Sequence, residues 1–388
     1  MDFMLTMDFM FTEEQKELRK RVRKFAEEKI GPLAAEADES EEMPWDVVKL
    51  LADEGLLRLM VPKEYGGDGN ISCVNACIVR EELTRICNAA STIFTMQGLG
   101  TYPIAMFGTE EQKRKYLPPI ASGEKLAAFS LSEPDAGSDV ASMKTTAVLD
   151  GDHYVLNGAK RWSSQGPAAE IYTVWAKTDP TKGARGISAF IVEKGTPGFD
   201  PSRTMKLIAA HTICEPKFEN CRIPKENLLG EEGRGMRIAM ENLDMFRSTV
   251  GATAVGFAQR AYEEALSRSK SRVVFGQPLS EFQVTQFKLA DMATEIQAAR
   301  LLVYWAAKLK DQDESWQKIM TAASMAKLHA TEVCHRVVDE SLQIHGGSGI
   351  IKGVPIERIY RMQRAIRIYE GTSEMQRQTI AREILRED

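Results

Sequence analysis

Cysteine is scarce in this 388-residue chain. The six, at 73, 77, 87, 214, 221 and 334, form neither a C-x-x-C pair nor a Cys/His cluster of zinc spacing. A zinc module is excluded, and a reduced, cytoplasmic setting is expected. Cys73 and Cys77 fall on successive turns of an expected helix, where packing outweighs redox or metal work. The five histidines are scattered, so no metal site is expected. Positive charge is also short: 50 basic against 55 acidic residues give −5, without the surplus that dominates nucleic-acid affinity, so no nucleic-acid partner is expected. No run of about 18 apolar residues occurs, which excludes membrane insertion by a helix, while 43% apolar and 27% charged residues exclude whole-chain disorder. A Walker sequence, a G-x-G-x-x-G after a strand and a G-x-S-x-G elbow are all missing, so P-loop, Rossmann and α/β-hydrolase folds have no motif here. There is no internal repeat. The N-terminal MDFMLTMDFM has an acidic second residue and no basic run, which argues against a secretory signal and leaves Met1 and Met7 as alternative starts.

What is present changes period twice. Thr12 and Gln15 form a capping box, and Leu18, Val22, Phe25, Ala26 and Ile30 recur on one face up to Gly31-Pro32. Helical patterns follow over 45–59, 72–87 and 110–121. From about Leu126, short β-rich runs at 145–149, 154–156, 171–177 and 187–193 alternate with the turn-rich DGDH, NGAK, TDPTKGARG and KGTPG. Beyond Leu228-Leu229-Gly230 the pattern is helical again, over 236–269, 281–310, 316–344 and 373–385, with several segments as long as bundle helices. The expected architecture is mainly α with a central β domain. It divides into an N-terminal helical domain (1–123), a middle β-barrel domain (124–232) and a C-terminal four-helix bundle (233–388).

Five segments carry chemistry-bearing residues. In 128–139 (AFSLSEPDAGSD), small residues let the backbone approach a ligand and Ser132 and Ser138 offer hydroxyls; a surface turn with an Asx cap explains the same residues. In 160–166 (KRWSSQG), after a strand and its NG turn, Trp162 either covers a flat ring or packs in a core. Arg272-Val-Val-Phe-Gly276 with Phe282-Gln283, and Gln343-Ile-His-Gly-Gly-Ser-Gly349, combine charge and glycine-freed N–H groups suited to an anion; helix-ending turns explain them equally. In 368–377 (IYEGTSEMQR), Glu370 precedes a glycine and a Thr/Ser helix cap. A carboxylate aimed into an apolar site has a raised pKa and serves as a base, whereas one at a helix start complements its dipole.

Taken in order, these segments resemble the flavin-dependent acyl-CoA dehydrogenases across essentially the whole chain. The similarity runs from TEEQKELRKRVRKFAEEKI through VPKEYGG, AAFSLSEPDAGSD, FENCRIPKENLLGEEGRG, FGQPLSEFQ and QIHGGSGI to IYEGTSEMQR. The resemblance implies FAD as cofactor, an acyl-CoA substrate, an electron-transferring flavoprotein as redox partner and a homotetramer. It places Leu131, Ser132 and Ser138 along the flavin, with Ser138 also near the CoA, and Trp162 and Ser164 over the isoalloxazine. Arg272, Phe275, Gln283, Gln343, Gly346 and Gly347 would bind the pyrophosphate and adenosine end across a subunit interface, and Thr372 and Glu374 would hold the same cofactor. Asp244 and Arg247 would lie beside the CoA and the catalytic carboxylate, with Tyr369 and Gly371 also against the substrate. Some members carry the base just before the arginine corresponding to Arg247; that position is Phe246, which leaves Glu370 as the α-proton base.

The chain departs from the family at Ser164-Gln165, where Thr-Asn is usual, at Met362, where an Asp is common, and in Leu207–Cys214, which is one residue short and lacks the usual Arg. The helix bearing Phe94, Met96 and Tyr102 would wall the acyl pocket, although core packing explains their spacing too. Together these features favour a short, branched or cyclic or aromatic-derived acyl group. A same-fold oxidase passing electrons to oxygen and a non-catalytic binding homologue are the alternatives.

Overall fold

In a computed structural model the described residues are 9–386. The choice between Met1 and Met7 lies outside them. Helices α1 (Glu13–Phe25), α2 (Ala34–Glu39), α3 (Trp45–Asp53), α4 (Cys73–Ile86), α5 (Asn88–Phe107) and α6 (Glu110–Ala121) precede the strands. These are β1 (Ala127–Ser130), β2 (Thr146–Asp150), β3 (His153–Ala159), β4 (Ser163–Ser164), β5 (Ile171–Lys177), β6 (Ile187–Glu193), β7 (Phe199–Asp200), β8 (Ile213–Cys214), β9 (Lys217–Pro224) and β10 (Leu228–Leu229). Then come α7 (Gly235–Ser271), the hairpin β11 (Val273–Val274) and β12 (Gln277–Pro278), α8 (Gln283–Asp311), α9 (Trp316–His345), α10 (Pro355–Gln363) and α11 (Ser373–Ile384). The fold is mainly α with a central β domain. Among the described residues no helix is long and apolar enough to cross a membrane.

By internal packing the chain forms two compact units. One comprises residues 37–72 and 92–243. Its large sheet runs β10-β6-β5-β2-β3-β9-β7, with β1 parallel to β5 (Ala127 opposite Ile171) and β5 antiparallel to β6. Both β5 and β6 are buried on both faces, and Tyr116, Leu117 and Ile120 of α6 pack in the core they share. The core gathers Tyr116, Leu117, Ile120, Ile171, Trp175, Ile191 and Leu229, and the Trp175 indole donates to the Gly235 carbonyl at 2.7 Å. Thr109 and Gln112 cap α6 reciprocally, and the Gln112 amide reaches on to the Glu226 and Leu228 carbonyls at 2.7 and 2.9 Å.

The other unit comprises the described residues up to 36, 73–91 and those from 244 on. Here α8 packs on α9, α4 on α1 and α8, and α10 and α11 on α9. The Thr12–Gln15 capping box opens α1 as expected, with Thr12 Oγ1 accepting from the Gln15 N–H at 3.3 Å. A buried ionic network ties these helices: Glu81 accepts from Arg300 and Tyr304, both at 2.9 Å, and Glu82 takes Arg19 at 2.8 Å and Arg23 at 2.9 Å.

Two local expectations change. The helix expected over 45–59 stops at Asp53, because Gly55 adopts φ +78° and a 3-10 turn follows. Asn157-Gly158 is no turn: it lies inside β3 as a bulge against β9, with Gly158 at φ +143°. A Cβ there would stand 2.5 Å from Thr145 Oγ1, so only glycine lets the bulge press on the adjacent chain. Helix α5 continues to Phe107 through Gly98, Gly100 and Pro103, because near-complete burial offsets the donor lost at the proline.

Candidate active site

Glu370 is set by backbone geometry before any ligand is considered. Its φ is +54°, in the left-handed region that non-glycine residues avoid, and Gly371 follows at +94°. Side chains hold the turn open. Lys327 Nζ donates to the Gly371 carbonyl at 2.8 Å, and Gln376 Nε2 donates to the Glu370 and Gly371 carbonyls at 3.1 and 3.0 Å. Arg247 Nε approaches the Glu370 carbonyl at 3.5 Å. The flanks are pinned by Glu332, which accepts from Ser373 Oγ at 2.6 Å and Arg367 Nε at 3.0 Å, and by Thr372, whose hydroxyl caps α11 by accepting from the Met375 N–H at 3.3 Å.

With both carbonyls of the turn occupied, the Glu370 carboxylate points into the protein. Both of its oxygens are buried without a hydrogen-bond partner among the described residues. Burial raises its pKa above the ordinary glutamate value, opposed in part by Arg80, Lys327 and Arg247. The Glu370 N–H likewise finds no acceptor among the described residues. The helix-dipole explanation does not fit this placement. A buried, unbonded carboxylate of raised pKa is poised to take up a proton.

Around it, Asp244 binds Arg247 at 2.7 Å, so the pair three residues apart does form. Burial raises the Asp244 pKa, against the pull of Arg247. Lys327, on a turn of α9 otherwise lined by alanines, is lowered to about 8 by burial, with Glu370 opposing. Tyr369 is half-exposed beside Glu370, and Phe246 is core. Sequence reasoning missed Lys327 and Arg80. The available signal was a lone cation within an otherwise buried stretch, AAxMAK for one and CIVR for the other.

Further along the same unit, Phe275 sits at φ +48° with its ring 98% exposed, beside exposed Arg272 and Gln283. Gln343, Gly346 and Gly347 are exposed at the end of α9, and Glu374 lies exposed in the first turn of α11.

In the β-bearing unit, Lys160 is completely buried. Its Nζ donates to Glu133 Oε1 at 2.8 Å and to the Leu131 carbonyl at 3.1 Å, while Glu133 accepts from the Lys144 and Thr145 N–H groups at 2.6 and 3.0 Å. Burial lowers Lys160 to about 8, with Glu133 opposing. This pair fixes segment 131–145, in which Leu131 is buried, Ser132 half-buried and Ser138 exposed. Trp162 is no core residue: it stands at φ +67° with half its surface free, its face toward Arg161. Ser163 Oγ pairs with Ser130 Oγ at 2.7 Å, and Ser164 Oγ with His211 Nε2 at 2.7 Å. Burial lowers His211 to about 4, so the ring is neutral at pH 7. Phe94 and Tyr102 are buried on α5, and Met96 is half-buried.

A strained, exposed indole beside two hydroxyl-bearing segments fits a planar ring, and exposed Phe275 with Arg272 fits an aromatic group bearing phosphate. The residues present therefore suit a flavin dinucleotide.

Family models described as the N-terminal, middle and C-terminal domains of acyl-CoA dehydrogenase match residues 12–124, 128–221 and 233–385. The chain is 43% identical over 387 residues to the acryloyl-CoA reductase (NADH) of Anaerotignum propionicum, covering 99% of this chain and 97% of that one. It is 43% identical over 383 residues to the short-chain-specific acyl-CoA dehydrogenase of Clostridium acetobutylicum, covering 98% and 100%. Among solved structures, butyryl-CoA dehydrogenase from Megasphaera elsdenii superimposes with a TM-score of 0.93 at 38% identity, over 97% of this chain and 99% of that one. A chain from work on the electron-transferring flavoprotein of Acidaminococcus fermentans gives 0.94 at 41%, over 98% and 100%. An acyl-CoA dehydrogenase from Bacillus anthracis, complexed with FAD, gives 0.89 at 36%, over 99% and 69%.

Proposed function

The chain belongs to the acyl-CoA dehydrogenase family, an FAD-dependent oxidoreductase family, and from that premise we propose that it removes the α- and β-hydrogens of an acyl-CoA thioester to give the 2-enoyl-CoA, with Glu370 as base. The observation that carries this reading is the Glu370 carboxylate, buried, unbonded and raised in pKa on a strained turn. FAD supplies the acceptor for the β-hydride. The protein's own groups do the rest. Glu370 takes the α-proton, and its N–H, with no acceptor among the described residues, would bond the thioester oxygen as negative charge develops there. Arg247, locked to Asp244, steadies the Glu370 carbonyl. Leu131, Ser132, Ser138, Trp162, Ser164, Arg272, Phe275, Gln283, Gln343, Gly346, Gly347, Thr372 and Glu374 are the cofactor contacts we propose, and Ser138, Phe94, Asp244, Arg247, Tyr369 and Gly371 those to substrate.

The acyl group is short, branched or cyclic in this reading: Phe94 and Tyr102 are bulky and buried, and the 207–214 loop is shortened. The same groups run the reaction backward, and a relative named as a reductase favours that direction as a second reading. Anaerobic addition of butyryl-CoA to the yellow holoenzyme is expected to bleach the flavin band. No bleaching by any acyl-CoA identifies a non-catalytic homologue, and rapid peroxide formation in air identifies an oxidase. Reoxidation then falls to an electron-transferring flavoprotein. Exposed Phe275, Val284 and Phe287 suit burial in a homotetramer, for which light scattering should give a four-chain mass.

A further inference from the structure

Of the two buried arginines among the described residues, Arg300 is saturated and Arg80 is not. Arg300 binds Glu81 at 2.9 Å, Gln297 at 2.7 Å and Gln259 at 3.0 Å. Arg80 is 2% exposed; its Nη1 donates to the neutral Thr249 hydroxyl at 2.7 Å, its side chain also bonds the neutral Tyr369 hydroxyl, and its buried Nε has no partner. The neighbouring carboxylates are engaged elsewhere: Glu81 with Arg300 and Tyr304, Glu82 with Arg19 and Arg23. A guanidinium out of water and without a carboxylate is costly, so its unpartnered Nε points to a use.

The surroundings identify that use. Arg80 faces the Tyr369 hydroxyl and the Glu370 carboxylate, the reacting end of the proposed site. It does not hydrogen-bond the carboxylate, whose oxygens are both unpaired, and Lys327 and Arg247 already face Glu370. Arg80, Lys327 and Arg247 all face Glu370, and of these Arg247 is already paired with Asp244. An anion would supply the acceptor that the buried Nε lacks.

We infer that Arg80 recognises a carboxylate on the acyl group, so that the preferred substrates are acyl-CoA thioesters bearing a second, free carboxyl. This rests on the proposed dehydrogenation. In that case the carboxylate is held by Arg80 and Tyr369 while Glu370 works at the α-carbon, and compact acyl groups lacking the carboxylate leave the guanidinium unpaired.

The test compares succinyl-, glutaryl- and benzylsuccinyl-CoA with butyryl-, valeryl- and phenylbutyryl-CoA on the wild-type holoenzyme. At least one carboxylate-bearing thioester is expected to exceed its neutral counterpart by about 10–100-fold in kcat/KM, the range of a buried charge-assisted pair. In Arg80→Met that ratio collapses to about one or below, and Arg80→Lys recovers part of it. The dissociation constant of an unreactive thioether analogue of the carboxylate-bearing CoA, read by perturbation of the flavin spectrum, rises in parallel. If Arg80→Met fails to fold, the wild-type ratio alone decides. Oxidation of the neutral thioesters only, or a ratio unchanged by Arg80→Met, overturns this inference and leaves the dehydrogenase reading intact. Failure of every thioester to reduce the flavin overturns both.

Discussion

Glu370→Gln is expected to retain FAD and bind acyl-CoA while losing about 10²–10⁴-fold in turnover, the span of a positioned general base. The amide keeps the shape of the side chain and cannot accept a proton. Because the carboxyl must be ionised to act and burial raises its pKa, kcat/KM of the wild type should fall with decreasing pH through a value above that of an ordinary glutamate. Stability moves oppositely. The folded-state pKa exceeds the unfolded one, so protonation favours the fold: the contribution is present below the unfolded pKa and lost as pH rises through the folded pKa. At neutral pH the ionised carboxylate is therefore a burden, and Glu370→Gln should raise Tm while abolishing turnover. Near-normal activity in this variant would place the base elsewhere.

Lys160→Met should destabilise the β-bearing unit by about 3–5 kcal/mol, since it strands Glu133 in an interior where the carboxylate is 5% exposed. The same change frees the Leu131 carbonyl and loosens segment 131–145, so FAD should wash out of the variant on gel filtration. Denaturant midpoints measure the first effect and flavin absorbance the second. The double variant Lys160→Met/Glu133→Leu removes both charges and should recover much of the stability. Equal losses in single and double variants would show that the pair is not the source of the effect.

These two residues also show how far the sequence could be read. The turn at Glu370 was legible because YEGTS joins a carboxylate to a glycine and a helix cap, and the helices around it announce themselves by period; the role of base came only with the family resemblance. Asp244 and Arg247 were singled out only by the family resemblance, and the structure pairs them. Lys160, Lys327 and Arg80 were not legible, because a lysine or arginine in one sequence is read as solvated by default. Only tertiary packing reveals that its head group is enclosed. The bulge at Gly158 was hidden for a related reason: Asn-Gly is the commonest hairpin signal, and the pairing of β3 with β9 overrides it. Trp162 left two readings open, and its half-exposed indole removes the one that packs it in a core.

All six cysteines are buried and none is in a disulfide among the described residues, and burial pushes Cys77, Cys214, Cys221 and Cys334 above the usual thiol range. Reagents that need an accessible thiolate find none in the closed protein. Four thiols (Cys73, Cys77, Cys87 and Cys334) belong to the helical unit, and Cys214 and Cys221 to the β-bearing one. Alkylation rates at the two sets thus amount to a built-in chronometer, reporting separately how often each half of the molecule breathes open.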